Sequence, residues 1–197
     1  MTNLHLFELI NAAPGLSGWP LWMAQALADD LIYLVSLAMA WAWLRGDHGA
    51  RVELLQMLVA ATMALMVAQV VAHVWPQPRP FAMHVGHQYL AHSGDPGMPS
   101  DHVTFFWSLA LAALSTRRFD IYALPMLSLG LLVGWSRVFL GVHFPFDIVA
   151  ALPVAAAGAL IEHRLRRPFA PLLEWTVGLY DRLERAALAR RRGKSWP

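Results

Sequence analysis

Five apolar runs, at roughly 21–44, 52–75, 101–115, 119–140 and 146–163, follow one another along the 197-residue chain with little but short turns between most of them. A helix needs about 20 apolar residues to cross a bilayer, because backbone polar groups in hydrocarbon must pair within their own segment. With 57% hydrophobic residues, 14% charged ones and a mean hydropathy of +0.45, the chain is too apolar for a soluble domain. The pattern predicts an all-α, polytopic membrane helix bundle, one domain over 1–197 with about five transmembrane helices. An interfacial segment over 1–20 and a basic amphipathic tail over 168–197 flank them. The 101–115 run would be only about 22 Å long, so one of its ends is expected below the membrane surface.

Basic residues set the sidedness. Of the 15 Lys and Arg, all but Arg79 and Arg137 fall beside the turns at 45–51 and 117–118 or after the last run. By the positive-inside rule this places the C-terminus in the cytoplasm and the N-terminus outside. No basic residue precedes Arg45, so the first run lacks the positive leader of a cleaved signal and is expected to stay in the mature protein. In the tail, Leu172, Trp175, Leu179 and Leu183 recur near helical spacing beside Arg182 and Arg185, a pattern suited to an anionic membrane surface rather than to chemistry. Cysteine is absent, which excludes disulfides, thiolate metal sites and a thiol nucleophile.

The two outward arginines belong to three polar stretches that the topology gathers at one face: "PQPRPF" (76–81), "PSDH" (99–102) and "SRVFLGVHFPFD" (136–147). Guanidinium groups form paired, charge-assisted hydrogen bonds to phosphate, which suits Arg79 and Arg137. Ser100 falls near the N-cap of the third run, where free backbone N–H groups attract an anion. His143 precedes Asp147 by four residues, so a helix starting after Pro145 brings the carboxylate to Nδ1 and leaves Nε2 free to attack phosphorus. His102 then serves as acid for the departing oxygen and base for water. Taken singly, each of these side chains also fits an interfacial anchor; their convergence on the side depleted in basic residues is what points to phosphoryl transfer.

These motifs resemble those of the type 2 phosphatidic acid phosphatase superfamily, K-x6-R-P, P-S-G-H and S-R-x5-H-x3-D. The third is complete in this chain. Asp101 replaces the Gly of the second, and with "PRPF", "GVHFPFD", "LFELINAAPG" and "ADDLI" this is similar to the bacitracin-resistance branch, the undecaprenyl-diphosphatases. The resemblance runs from residue 6 to about 158. It implies a metal-free, cofactor-free reaction through a phosphohistidine, a polyprenyl diphosphate substrate, no nucleic-acid partner, and a bacterial inner-membrane location with the site facing the periplasm or exterior. The residues it carries over are Arg79, Ser100, His102, Ser136, Arg137, His143 and Asp147. One position departs from the pattern: Ala72 stands where the broad family has Lys, with His73 beside it.

Asp29 and Asp30 lie inside the first run, where acids are costly unless they face a cavity or a partner. Asp30 is expected to support Arg137 or a histidine, and Asp101 is a further supporting candidate. His84, His87, His92 and Asp95 fit no zinc spacing and are expected to form a wet loop. Gly134 and Gly141 are expected to serve helix packing or a turn. The motifs read phosphate rather than the tail, so phosphatidylglycerophosphate or phosphatidic acid phosphatase and lipid phosphotransferase stay open, as does a non-catalytic lipid carrier.

Overall fold

The computed structural model describes residues 2–192, and every regular element among them is helical. A short α1 (Asn3–Ile10) leads to α2 (Trp19–Gln25), which passes through one π-helical turn (Ala26–Asp30) into α3 (Leu31–Arg45). Then come α4 (His48–Val74), α5 (Asp101–Ala113), α6 (Ala123–Phe139) and α7 (Pro145–Arg192). Local chemistry sets several of these ends. Asp47 caps α4 by accepting from the Ala50 amide at 2.8 Å, Pro20 sits in the first turn of α2, and Pro145 opens α7 where its missing N–H has no helical partner to lose.

Among the described residues four helices are long and apolar enough to cross a membrane: Trp19–Arg45, His48–Val74, Asp120–Phe139 and Pro145–Arg190. The fifth predicted crossing is α5, whose 13 residues reach about 20 Å. It is the centre of the bundle, packed against α4, α6 and α7, and from Val103 to Ala113 only Phe105 and Leu111 escape full burial. Protein rather than lipid surrounds α5, so it need not match the hydrocarbon thickness.

Small residues allow the tightest packing. The buried face of α4 carries Ala60, Ala61, Ala64 and Ala68, and that of α7 carries Ala151 and Ala155. A methyl group added at Gly158 of α7 would fall on the backbone of Ala64, so the two helices touch main chain to main chain. Gly158→Val is therefore expected to cost about 1–3 kcal/mol by overpacking, read as a lowered Tm in detergent. Gly134 of α6 leaves room instead for a side chain, that of Ile148 on α7.

Both flanking segments are docked. On α1, Phe7 is fully buried and meets Phe144 edge to face at 5.2 Å, while Asn3 accepts from the Phe146 amide and Asn11 donates to the carbonyls of His87 and Phe139. The N-terminal helix thus braces the loop that carries His143. At the other end α7 continues without a break past Pro168 and Pro171. Its distal part packs on the start of α4: His48 lies 2.6 Å from both Glu174 and Asp181, Arg51 pairs with Asp181 and Glu184, and Arg51 stacks over Tyr180. The remainder of the predicted tail, past Arg192, lies outside the described residues.

Candidate active site

Three chain segments meet at the end of the bundle opposite this ion cluster. The first is the start of α5. Ser100 is its N-cap residue, its amide donates to the Asp147 carbonyl at 3.1 Å, and its hydroxyl makes no capping bond. The second is the turn between α6 and α7, where Gly141 adopts a φ of +79° that a side chain would disfavour. That turn aims His143 inward and starts α7 in time for Asp147 to lie one turn along. The carboxylate Oδ2 sits 3.3 Å from His143 Nδ1 and also accepts from the Phe144 amide at 2.8 Å. Both side chains are buried. The predicted pairing is present.

Arg79, just after α4, closes the third side. Its NH1 donates to His143 Nε2 at 3.1 Å and to the Val142 carbonyl. Nε donates to the Asp95 carbonyl, while NH2 donates to that of Pro96 and lies 3.3 Å from the Asp95 carboxylate. With Nδ1 facing a carboxylate and Nε2 accepting from a guanidinium, His143 is held neutral. Burial pushes its pKa well below 6.5, and the nearby Arg137 and Arg79 charges push the same way.

Arg137 comes from the last turn of α6 and is 1% exposed. Its NH1 donates to the Ala28 carbonyl at 3.2 Å and to Asp29 Oδ1 at 2.9 Å. Asp29 Oδ1 also lies 4.0 Å from Nε2 of His102, in the first turn of α5. One carboxylate thus stands between the arginine and the second histidine. The π-helical turn explains why it is Asp29 and not the expected Asp30. An extra residue in the turn shifts the helix register and releases a carbonyl from the usual ladder, and Asp30 is left exposed on the outer face beside Leu27 and Leu34. Asp29→Asn is expected to lower kcat/KM about tenfold by loosening Arg137 and His102, and Asp30→Asn to change it less than about twofold. Steady-state phosphate release by the two variants checks this.

Among the described residues three buried side-chain atoms have no hydrogen-bond partner: Ser100 Oγ, Thr104 Oγ1 and Arg137 Nε. Orphaned buried donors are costly, and where they gather they mark a place for an acceptor. The other predicted residues fall less centrally. Ser136 is buried, but its hydroxyl donates to the Val133 carbonyl of its own helix. Asp101 is exposed and accepts from Gln69, tying α5 to α4. Ala72 is half-buried on α4, and His73 is exposed.

The loop carrying His84, His87, His92 and Asp95 is expected to be wet, yet His92 and Asp95 lie against His143 and Arg79. The His92 ring lies edge to face with His143, centroids 6.3 Å apart. His84 stays exposed, and His87 uses only its main chain, bonded to Asn11. Among the described residues no group of three or more His, Asp or Glu is arranged to hold a metal.

The PAP2 superfamily sequence model matches residues 53–170, more than half of the chain and all three polar stretches. The chain belongs to the PAP2 superfamily. Among its relatives, this PAP2 protein is 37% identical over 158 residues to the Escherichia coli (strain K12) protein named "Putative undecaprenyl-diphosphatase YbjG", covering 80% of this chain and 79% of that one. It is 28% identical over 155 residues to undecaprenyl-diphosphatase BcrC of Bacillus subtilis (strain 168), covering 79% of each. A Bacillus licheniformis relative, bacitracin transport permease protein BcrC, is 24% identical over 159 residues, covering 80% of this chain and 77% of that one. The crystal structure of Aquifex aeolicus LpxE superposes with a TM-score of 0.64 over 82% of this chain and 94% of that chain, at 18% identity, and so shares the PAP2 fold.

Proposed function

We propose that this protein is a membrane-embedded phosphatase that hydrolyses undecaprenyl diphosphate to undecaprenyl phosphate and inorganic phosphate, with its site at the outer face of a bacterial inner membrane. The names of the YbjG and BcrC relatives support the substrate. Supporting the chemistry is one observation above all: Ser100 Oγ and Arg137 Nε, buried donors without partners among the described residues, lie at the end of the bundle where a neutral imidazole is aligned by a carboxylate.

In this reading the terminal phosphoryl group is held by Arg137, Ser100 and the first amides of α5, and Arg79 turns its NH1 from His143 to a phosphate oxygen. His143 Nε2 attacks phosphorus in line, the bond to the bridging oxygen breaks, and His102 gives that oxygen its proton. Undecaprenyl phosphate leaves. His102 next takes a proton from water, the resulting hydroxide oxygen bonds to phosphorus, and the P–N bond breaks to return His143 and phosphate. Asp147 holds the tautomer throughout.

The tail of the lipid has a place to lie. An apolar groove of about 440 Å³, lined by Val35, Met39, Leu54, Met57, Leu109 and Met126, runs along α3 toward the inner end of the bundle. The charge pattern supports the orientation. Arg51, Arg118 and Arg166 are engaged at one end, with Asp181, Glu53 and the Ser115 carbonyl, while Arg79 and Arg137 sit at the other.

Phosphate release from defined lipids in detergent, without any acceptor lipid, tests the assignment. Undecaprenyl diphosphate is expected to exceed phosphatidic acid and phosphatidylglycerol phosphate by at least about tenfold in kcat/KM, the ratio that about 1.4 kcal/mol of differential binding gives. Equal turnover of all three would remove the diphosphate from the reading; release only on adding an acceptor would make the protein a transferase.

A further inference from the structure

The loop that ends at Asp95 brings a third imidazole to the site, one for which the reaction above has no task. His92 is 19% exposed, its Nδ1 lies 3.5 Å from Asp95 Oδ1, and Asp95 in turn lies 3.3 Å from the Arg79 guanidinium. Groups facing it come from every neighbouring element: Asp95 on its own loop, Arg79 after α4, His102 on α5, Arg137 on α6 and His143 before α7. The Ser93 carbonyl, 3.2 Å from Nδ1, adds a local acceptor.

The charges of the site do not balance those of a diphosphate. Arg79 already faces Asp95, and Arg137 already faces Asp29. His143 must stay neutral to attack, and His102 gives its proton away during the first step. A diphosphate headgroup therefore adds several negative charges to a site whose two fixed cations are already matched. A further positive charge would offset them, and among the described residues His92 is the base in reach that the reaction leaves unused. Burial and the Arg79 charge hold its pKa below the ordinary histidine value of 6.5 while no anion is bound. An added phosphate reverses the sign of that field.

We propose that His92 is the outer clamp for the diphosphate: it takes a proton from solvent as substrate binds, keeps Nδ1 toward Asp95, and donates from its other nitrogen to the phosphate nearer the lipid. Its role is in binding, and it neither gains nor loses a bond to phosphorus. This rests on the diphosphatase reading above. Proton uptake on binding has a definite sign. KM is lowest where the free His92 is already protonated, rises with pH once it is not, and levels off above its pKa in the complex.

The test uses the full-length protein in detergent with undecaprenyl diphosphate, comparing wild type, His92→Gln and His92→Arg between about pH 5.5 and 8.5, a range that brackets histidine titration. His143→Ala is the blank. For His92→Gln, KM is expected to rise about tenfold at the acid end and less than about twofold at the alkaline end, with kcat within about threefold. His92→Arg, a permanent cation, is expected to keep KM low and to lose the alkaline rise seen in wild type. A glutamine variant with wild-type KM at the acid end overturns the proposal. So does a KM increase equal at all pH values, or a loss confined to kcat. If wild type itself releases no more phosphate than the His143→Ala blank, the diphosphatase reading fails first, and this inference with it.

Discussion

His143→Ala is expected to abolish phosphate release, lowering kcat by at least about 10⁴-fold, because the proposed reaction passes through a covalent bond to this imidazole. The structure allows the loss to be selective. The His143 side chain is enclosed, but its hydrogen bonds go to Arg79 and Asp147, each of which has other partners: Arg79 the carbonyls of Val142, Asp95 and Pro96, and Asp147 the Phe144 amide. The truncated protein should therefore fold and still bind lipid diphosphate within about threefold of wild type, because the phosphate donors stay in place. A lipid carrier that only binds its cargo would behave in the opposite way, keeping its function without the imidazole. Retained phosphate release by His143→Ala above one part in about 10² would remove this histidine from the covalent step. The wild-type pH profile gives a further check. Burial, then Arg137 and Arg79, keep the His143 pKa well below 6.5, so the imidazole proposed as nucleophile is unprotonated at neutral pH and the acid limb of kcat/KM should fall below 6.5.

Arg137→Lys carries the second large effect, a fall in kcat/KM of about 10²–10³, the range for deleting one donor aimed at developing charge. The charge survives this change but the planar fork does not. In the protein the fork has separate tasks for its nitrogens: NH1 holds the Ala28 carbonyl and Asp29, and Nε is buried with no partner among the described residues. An ammonium group has no counterpart to Nε, so Lys can satisfy Asp29 or a phosphate oxygen but not both with the same geometry. Arg51→Lys is the control. Arg51 is also buried and ion-paired, but at the opposite end of the bundle, with Asp181 and Glu184. It is expected to lower Tm while leaving kcat/KM within about threefold. Equal losses in the two variants would mean that Arg137 acts through stability alone.

The reach of the sequence can be judged from particular residues. Helix positions were legible because each long apolar run is bounded by Gly, Pro or charge, and the 13-residue length of α5 was foreshadowed by its short run. His143 and Asp147 were legible because both lie within one helical turn of chain. Asp29 was not. Periodicity assigns a face only while the helix keeps 3.6 residues per turn, and the π-helical turn at Ala26–Asp30 exchanges the roles of neighbouring acids. His92 and Asp95 were missed for another reason: an irregular loop has no period, and its polar composition is the same whether it faces water or folds over a site. The docking of the tail was hidden similarly. Its apolar stripe suits a lipid surface, while its attachment depends on His48 and Arg51, more than 120 residues away in sequence.

The short central helix has a consequence for the membrane around it. At the start of α5 its neighbour α4 runs on to Val74, past the Gln69 that bonds Asp101, so the opening of α5, with Ser100 and His102, is set inward from that end of α4. Hydrophobic mismatch should then govern turnover. Thin acyl chains bring the headgroup plane down to the imidazoles, and thick, ordered ones lift it away, so reconstitution in phosphatidylcholines of increasing chain length becomes a ruler for how far the diphosphate must descend.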